Sequence, residues 1–432
     1  MGKIWDLAKR IYPLNRSISG IDNLRTLEII KDYIGDLNIK KWEVGEKFSG
    51  WEIPKGWNCK EAWIKDQEGK KYAEFNLRNI RVTSYSEPIN RIVGWEELKY
   101  HLHLCGNGLN GAYPYTTSFY NKDWGFNVTK EEYNSLKDKE CHVLIDSEFI
   151  DDWPMHYGEL IIPGESSKEI LLSTYICHPS MANNETSGIC VTSEIGRRIL
   201  NSETRNKYTI RMVFHPETIG SIFYIRDQIS SLKKNVIFGL VLTCLGDTNR
   251  VFSYPLTINK NNILNKCIKS LRFSGYQFES YPAEKRGSDE RQYAWPTVGL
   301  DVISLSKSKY HEYPEYHTSL DNLDLISEES LITSIDLVEK ICTRVSKNRK
   351  IAATTIGEPF LMGLNMGSRT GGMSHKKNQN DLGRNLINML WYCDGENDTF
   401  DISEKLGLDF DQLLEMQKIA IENNLAEVIT HD

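Results

Sequence analysis

The hydrophobic rhythm of the chain changes several times along its length. Over residues 1–37 apolar positions recur at helical spacing: Ile4, Leu7, Ala8 and Ile11 on one stripe, Leu24, Leu27, Ile30 and Ile34 on a second. Between them Pro13 to Gly20 form a loop carrying Arg16, Ser17 and Ser19. From 38 to 149 the runs shorten and alternate, bounded by turn residues. Segments 61–65, 72–75, 80–85 and 141–145 predict β hairpins, 95–102 a short helix, and 112–126 an aromatic loop. Six of the ten tryptophans fall here, as core or, in part, as the wall of a substrate pocket.

From 150 to 350 buried-strand runs alternate with amphipathic ones. Strands are predicted over 170–176, 209–214, 236–243 and 302–305, and helices over 189–200, 220–232, 263–273 and 328–345. This alternation is the signature of an α/β domain with a mostly parallel sheet. Residues 350–375 read as irregular. Helical runs over 380–393, 400–406 and 409–424, then a strand over 425–429, follow the order of a winged helix. The expected domains are therefore a discontinuous α/β domain (1–37 and 150–350), an inserted β-rich domain (38–149) and a winged helix (376–432).

Composition adds little to this picture but narrows it. With 40% hydrophobic and 26% charged residues the chain is ordinary globular protein, and its length allows two or three domains. A net charge of −7 argues against a general phosphate-binding surface. There is no apolar run of ~18 residues for a membrane span and no signal-peptide core at the N-terminus. The nine cysteines are dispersed without a C-x-x-C pair, which predicts reduced thiols and a cytoplasmic setting.

The segment 169–188, EILLSTYICHPSMANNETSG, concentrates the candidate chemistry. A buried strand ends in His178, a polar loop follows, and a helix begins. The ends of parallel strands form the ligand crevice of open α/β sheets. Two further strands end in His215-Pro216-Glu217 and in Thr243 to Asp247, so their polar groups converge on one edge. The candidate ligands and catalysts are His178, Asn184, Glu185, Glu217, Asp247, Asp289, Glu290 and His317. Two histidines with acidic groups suit a divalent metal, zinc most naturally, and a carboxylate that is not a ligand can serve as general base. Each residue also has a plainer reading. Glu217 could cap the following helix, Asp289 and Glu290 could form a solvated turn, and Thr318 or Ser319 beside His317 could be caps.

In order and spacing, these motifs resemble the di-zinc aminopeptidase superfamily, with its phosphorylase/hydrolase-like α/β fold. Its pattern is a His after a strand, an Asp-containing loop ending in Ser-Gly, a Glu-Glu pair, a further Asp, and a late His-Thr-x-x-Asp. Here the counterparts are His178, ANNETSG, PETIG, the strand end at Thr243–Asp247, and His317-Thr318-Ser319-Leu320-Asp321. YPLNRSISG, YPYTTSFYNKDWGF, YGELIIPG and GSDERQY extend the resemblance to a bacterial aminopeptidase-like family with an inserted β domain and a C-terminal winged helix. Some members of that family accompany polysaccharide-biosynthesis genes.

The resemblance implies a zinc-dependent aminopeptidase or amidohydrolase acting on a peptide or small amide. Zinc would activate a water, Glu217 would be the general base, and His178, His317, Asn184 and Asp247 would be metal ligands. Asp289, Glu290, Arg291 and Glu185 would contact substrate. Three positions depart from the superfamily pattern. Asn184 stands where the bridging Asp falls, Thr218 where the second Glu falls, and Thr243 near the further Asp, with Asp247 the nearest carboxylate. These departures imply one zinc ion rather than two. They also keep open a catalytically weakened or inactive protein that binds a ligand or serves regulation. The presumed recognition helix, DFDQLLEMQKIAIENN, is acidic. That disfavours nucleic acid and favours a protein contact or homo-oligomer through the winged helix.

Overall fold

The computed structural model describes residues 2–106, 108–109, 111–248, 251–259, 261–361 and 382–429. The stretch 350–375, expected as irregular, instead begins with a short strand, Lys350–Ala353; its part from 362 on and the start of the helix predicted at 380 lie outside the described residues. The chain divides into two compact units, residues 1–258 with 279–338, and residues 259–278 with 339–432.

The first unit opens with helices α1 (Lys3–Ile11) and α2 (Ile21–Ile34). Both bury the predicted stripes: Leu7, Ala8, Ile11, Leu27 and Ile30 are at most 1% exposed. Strand β1 (Asn38–Trp42) follows, then β2 (Gly56–Lys65), β3 (Lys71–Tyr72), β4 (Ile89–Val93) and β5 (Cys141–Ile150). Next come β6 (Met155–Ile162), β7 (Ser166–Tyr175), helix α3 (Ser187–Leu200), β8 (Tyr208–His215), α4 (Ile219–Asn235), β9 (Val236–Leu242) and β10 (Val302–Leu305). Helix α5 (Glu328–Lys347) contributes to both units.

The central sheet has the order β1-β6-β8-β7-β9-β10. Strands β8, β7, β9 and β10 run parallel, while β6 is antiparallel to β8 and β1 to β6. Strand β7 is central and buried on both faces, with Ile170, Leu171 and Leu172 all fully buried. Burial of each such side chain contributes about 1.5–3 kcal/mol. A parallel pair needs a crossover, and α3 and α4 supply it for β7→β8 and β8→β9.

A second sheet, β3-β2-β5-β4, is built wholly from the β-rich stretch, but β1 at the start of that stretch is the edge strand of the central sheet. Trp42 and Trp57 are buried in one hydrophobic cluster that also contains Val143, Leu171, Val213 and Tyr293. Residues 80–85, expected as a strand, instead form a 3-10 turn at Asn79–Arg81. Isolated bridges at Val82 and Ser84 follow it. Asn127 Nδ2 donates to the Ile80 carbonyl at 2.8 Å, and a buried side chain takes the place of a ladder partner.

The second unit carries β11 (Lys350–Ala353), α6 (Leu382–Trp391), β12 (Asp394–Asp398), α7 (Thr399–Leu406), α8 (Phe410–Glu422) and β13 (Ala426–Val428). Its sheet runs β12-β11-β13. Strand β12, DGEND, was not anticipated because it has no apolar alternation. Asp398 ends it and caps α7 in a capping box with Asp401.

Candidate metal and catalytic centre

Three neighbouring parallel strands, β8, β7 and β9, deliver His215-Pro216-Glu217, Cys177-His178 and Thr243-Cys244 to the same sheet edge. The loop before α3 is one π turn, Ala182–Thr186, that leads straight into the helix. Gly188 is obligatory there, because a Cβ at that position would lie 2.1 Å from the Leu242 carbonyl oxygen. That close approach presses the loop onto the strand ends. Backbone strain clusters in the same place: Ser180, Thr218, Cys244 and His317 all have positive φ. For β-branched Thr218, at φ +64°, this is a true outlier.

His178 is 6% exposed. Its Nδ1 lies 3.0 Å from Glu185 Oε2, and the same oxygen accepts from the backbone N–H groups of Cys177 and His178, each at 2.6 Å. The other Glu185 oxygen accepts from Arg16 Nε at 2.6 Å. Glu185 was expected to meet substrate, but it is 1% exposed and both oxygens are engaged. Its role here is to orient His178, with Nε2 turned away from it. Burial alone would lower His178, but the neighbouring Cys177 and Glu185 outweigh it and hold the ring well above its ordinary value.

Glu217 Oε2 lies 3.9 Å from His178 Nε2. Its Oε1 accepts from Ser288 Oγ at 2.7 Å, and its N–H donates to Cys177 Sγ at 3.2 Å. The carboxyl is pushed up to about 7, chiefly by burial, with the charge of His178 opposing and Asp289 reinforcing. Its side chain nonetheless keeps 24% exposure, so it is the acid at this edge that retains contact with solvent.

His317 sits with its ring centroid 5.0 Å from that of His178. Tyr316 stacks on it at 3.9 Å. Burial and the nearby His178 push His317 well below its ordinary value. Asn184 Nδ2 donates to His317 Nε2 at 3.3 Å, while Asn184 Oδ1 faces the Tyr175 hydroxyl at 3.0 Å. The amide therefore presents nitrogen, not oxygen, to the histidine and stands as a neighbour rather than an oxygen ligand.

The other anticipated groups lie deeper. Asp247 is bonded to Ser308 Oγ at 2.6 Å, and its N–H donates to Asn183 Oδ1. Thr243, not Asp247, occupies the strand end beside Asn184, donating to its carbonyl at 2.7 Å. Asp289, fully buried, accepts from the Thr218 N–H at 2.7 Å and Ser221 Oγ at 2.8 Å. It thus braces the strained turn after Glu217. Glu290, 1% exposed, accepts from Gly287 N–H and from the Tyr310 hydroxyl. In the GSDERQY group Gly287, Arg291 and Gln292 are partly exposed, and Arg291 Nε donates to the Ser288 carbonyl at 3.3 Å. Residues that face substrate and residues that support the turn share one sequence signal, and burial separates them.

Sequence reasoning assigned no role to Arg16, Asp321, Tyr175 or Tyr316. Asp321 Oδ1 and Oδ2 accept from the N–H groups of Asn183 and Asn184, and burial pushes its carboxyl up to about 6. Its place in HTSLD and that of Arg16 in YPLNRSISG were visible; their partners, 137 and 169 residues away, were not.

The donor set fits zinc. Cys177, His178 and Glu185 offer ligand atoms within 4.8 Å of one another. Burial pushes the Cys177 thiol up to about 11, however, and Glu185 is fully engaged, so that triple is a poor cage. On the opposite side of the same ring, His178 Nε2 and Glu217 Oε2 face each other beside His317. A carboxylate on the far nitrogen of a histidine is the usual support for a zinc ligand. His178 and His317 are the residues that would hold the ion, with Glu217 beside them as the carboxylate left for proton work.

The mixed, mostly parallel α/β sheet, with His178 and Glu217 following its strands and His317 in a loop beside them, is an aminopeptidase-type fold. The zinc aminopeptidase BSAP of Bacillus subtilis shares that fold at TM-score 0.55, with 15% identity over 79% of this chain and 94% of that one. The chain belongs to the family described as "Domain of unknown function (DUF4910)", whose profile matches residues 5–348, and a winged helix-turn-helix profile matches 352–428. Over 414 residues it is 35% identical to a Clostridium acetobutylicum protein named "Putative polysaccharide biosynthesis protein with aminopeptidase-like domain". That match covers 95% of this chain and 92% of the relative. The crystal structure of a "putative peptidase" from Clostridium acetobutylicum superposes at TM-score 0.87, with 32% identity over 99% and 96% of the two chains. This is the bacterial aminopeptidase-like family that the sequence motifs indicated.

Proposed function

We propose that the chain is a zinc-dependent aminopeptidase or amidohydrolase that cleaves a peptide or small amide. The observation that carries this reading is the convergence of His178 Nε2, Glu217 Oε2 and the His317 ring, with Glu185 already orienting His178. Zinc, when bound, supplies Lewis-acid polarisation of the scissile carbonyl. Glu217 does the proton work. It takes a proton from the attacking water and passes it to the leaving amine as the C–N bond breaks. A carboxyl held near 7 suits both directions of that transfer at neutral pH. Ser288 fixes one oxygen of Glu217, leaving the other beside His178 Nε2. One ion rather than two fits the neutral amide at Asn184 and the absence of a second carboxylate at Thr218.

The test is zinc analysis of the purified chain together with assays on aminoacyl p-nitroanilides and amino-acid amides. Glu217→Gln should keep the fold and lose about 10²–10⁴-fold in kcat. If the zinc-loaded wild type turns over none of these substrates, the site is a ligand-binding pocket in a chain without hydrolase activity. The nine free cysteines support a reducing, cytoplasmic setting for the proposed activity. In the same reading 38–149 is an insert in the α/β domain and 376–432 is a protein-contact module.

A further inference from the structure

Tyr115 belongs to the β-rich stretch, yet its ring stands against both histidines of the site. Its centroid lies 5.3 Å from that of His178 and 5.3 Å from that of His317, the latter edge-on at 82°. The segment that carries it is clamped on both flanks. On one side the Tyr115 N–H donates to the His317 carbonyl at 2.7 Å, Pro114 bridges Thr318, and the Ser319 N–H donates to the Tyr113 carbonyl at 2.8 Å. On the other, the Ser84 N–H donates to the Thr116 carbonyl at 2.9 Å, and Thr116 Oγ1 donates to Asn127 Oδ1 at 2.7 Å. Beneath, Tyr115 packs on Ile80, Tyr113 and Met181. The ring therefore has little freedom of its own.

The histidines need such a wall. The bond from Glu185 to Nδ1 fixes the tautomer of His178 but does not by itself stop the ring tilting about that bond. Among the described residues no carboxylate pairs with His317; one face is stacked on Tyr316 and its outer side meets Tyr115. We propose that Tyr115 is the positioning residue of this centre: its ring sets the mutual orientation of His178 and His317, and the β-rich stretch thereby completes the site. This rests on the two-histidine reading above but is tested apart from it. The aromatic body does the positioning. The hydroxyl stays protonated, pushed up to about 12 by burial, and carries no charge to the pocket.

The experiment uses the full chain with Tyr115→Phe, Tyr115→Leu and Tyr115→Ala, each checked for an unchanged circular-dichroism spectrum. The first readout is made in chelator-treated protein: the imidazole NMR resonances of His178 and His317, assigned from His178→Gln and His317→Gln spectra. The second is zinc affinity by competition with a chromogenic chelator. Tyr115→Leu fills most of the volume and separates a folding defect from loss of the ring. Leu and Ala should shift or broaden both imidazole signals and weaken zinc about 10–100-fold, the usual cost of losing a residue that supports a ligand. Phe should stay within about threefold of wild type on that scale. Unmoved imidazole signals in Leu and Ala, or a Phe variant as impaired as Ala, would overturn the proposal. Shifted signals in a protein whose wild type binds no zinc would leave Tyr115 as the positioning residue and remove the hydrolase reading.

Discussion

At the scale of single residues, the site is decided by what surrounds three ionisable groups. His178 and His317 are 5.0 Å apart, but a carboxylate faces the first, while burial and the charge of the first act on the second, so their proton affinities move in opposite directions. Glu217 carries a measurable consequence. Its folded carboxyl sits near 7 against 4.5 in the reference state, so the folded chain holds the proton more tightly between those values. Folding stability from this group is complete below about pH 4.5 and is lost as pH rises through about 7. Urea unfolding of metal-free protein should therefore show wild type losing about 1–3 kcal/mol more than Glu217→Gln between pH 5 and pH 7.5. His178 contributes a loss in the same direction in both proteins, so the comparison reads what neutralising Glu217 changes. Identical pH slopes would show that burial does not press on Glu217.

At the scale of elements, the Ser-Gly junction before α3 explains why the motif must be what it is. Gly188 lets the helix start close against β9, and Thr174 Oγ1 donates to the same Leu242 carbonyl at 2.9 Å. Gly188→Ala puts a methyl 2.1 Å from that oxygen, and neither strand nor helix can retreat without opening the core. We expect a loss of at least ~2 kcal/mol in denaturant unfolding and, because the loop beside His178 moves with α3, a parallel loss of zinc affinity. An unchanged midpoint would mean that the junction is looser than its spacing implies. Elements were also where the amino-acid pattern was most and least readable. The parallel strands β7 to β10 were legible because continuous apolar runs with short polar ends have few other uses. Strand β12, which carries no apolar residue at all, was not, because its partner β11 and not its composition makes it a strand.

At the scale of the whole molecule, a net charge of −7 and a winged helix with acidic α8 point the same way. Asp411, Glu415 and Glu422 are exposed on that helix, against one exposed lysine, Lys418. Phosphate contacts dominate affinity for duplex DNA, and this surface repels them. Fluorescence anisotropy with a 20-base-pair duplex at about 150 mM salt should show no binding up to about 10 µM protein, a concentration within the ordinary non-specific range of about 10⁻⁴–10⁻⁶ M. Salt-dependent binding in that range would assign the module to DNA after all. Among the described residues no helix is long and apolar enough to cross a membrane.

The amino-acid sequence by itself determined the α/β class, the strand–helix alternation from β7 to β10, the order of the winged-helix helices, and the placing of His178, Glu217 and His317 at strand or loop ends. Local periodicity and motif spacing carry that information because they depend on near neighbours in the chain. Only the tertiary structure decided which acidic groups face a ligand and which support one. Glu185 became the orienter of His178, Asp289 and Glu290 turned into the braces of a strained turn, Asp247 moved to Ser308, and Tyr115 crossed from the β-rich stretch to the histidines. Those roles depend on burial and on partners tens to hundreds of residues away, and a carboxylate or a tyrosine reads the same in sequence whether it is solvated or buried at less than 1% exposure, as Asp289 is.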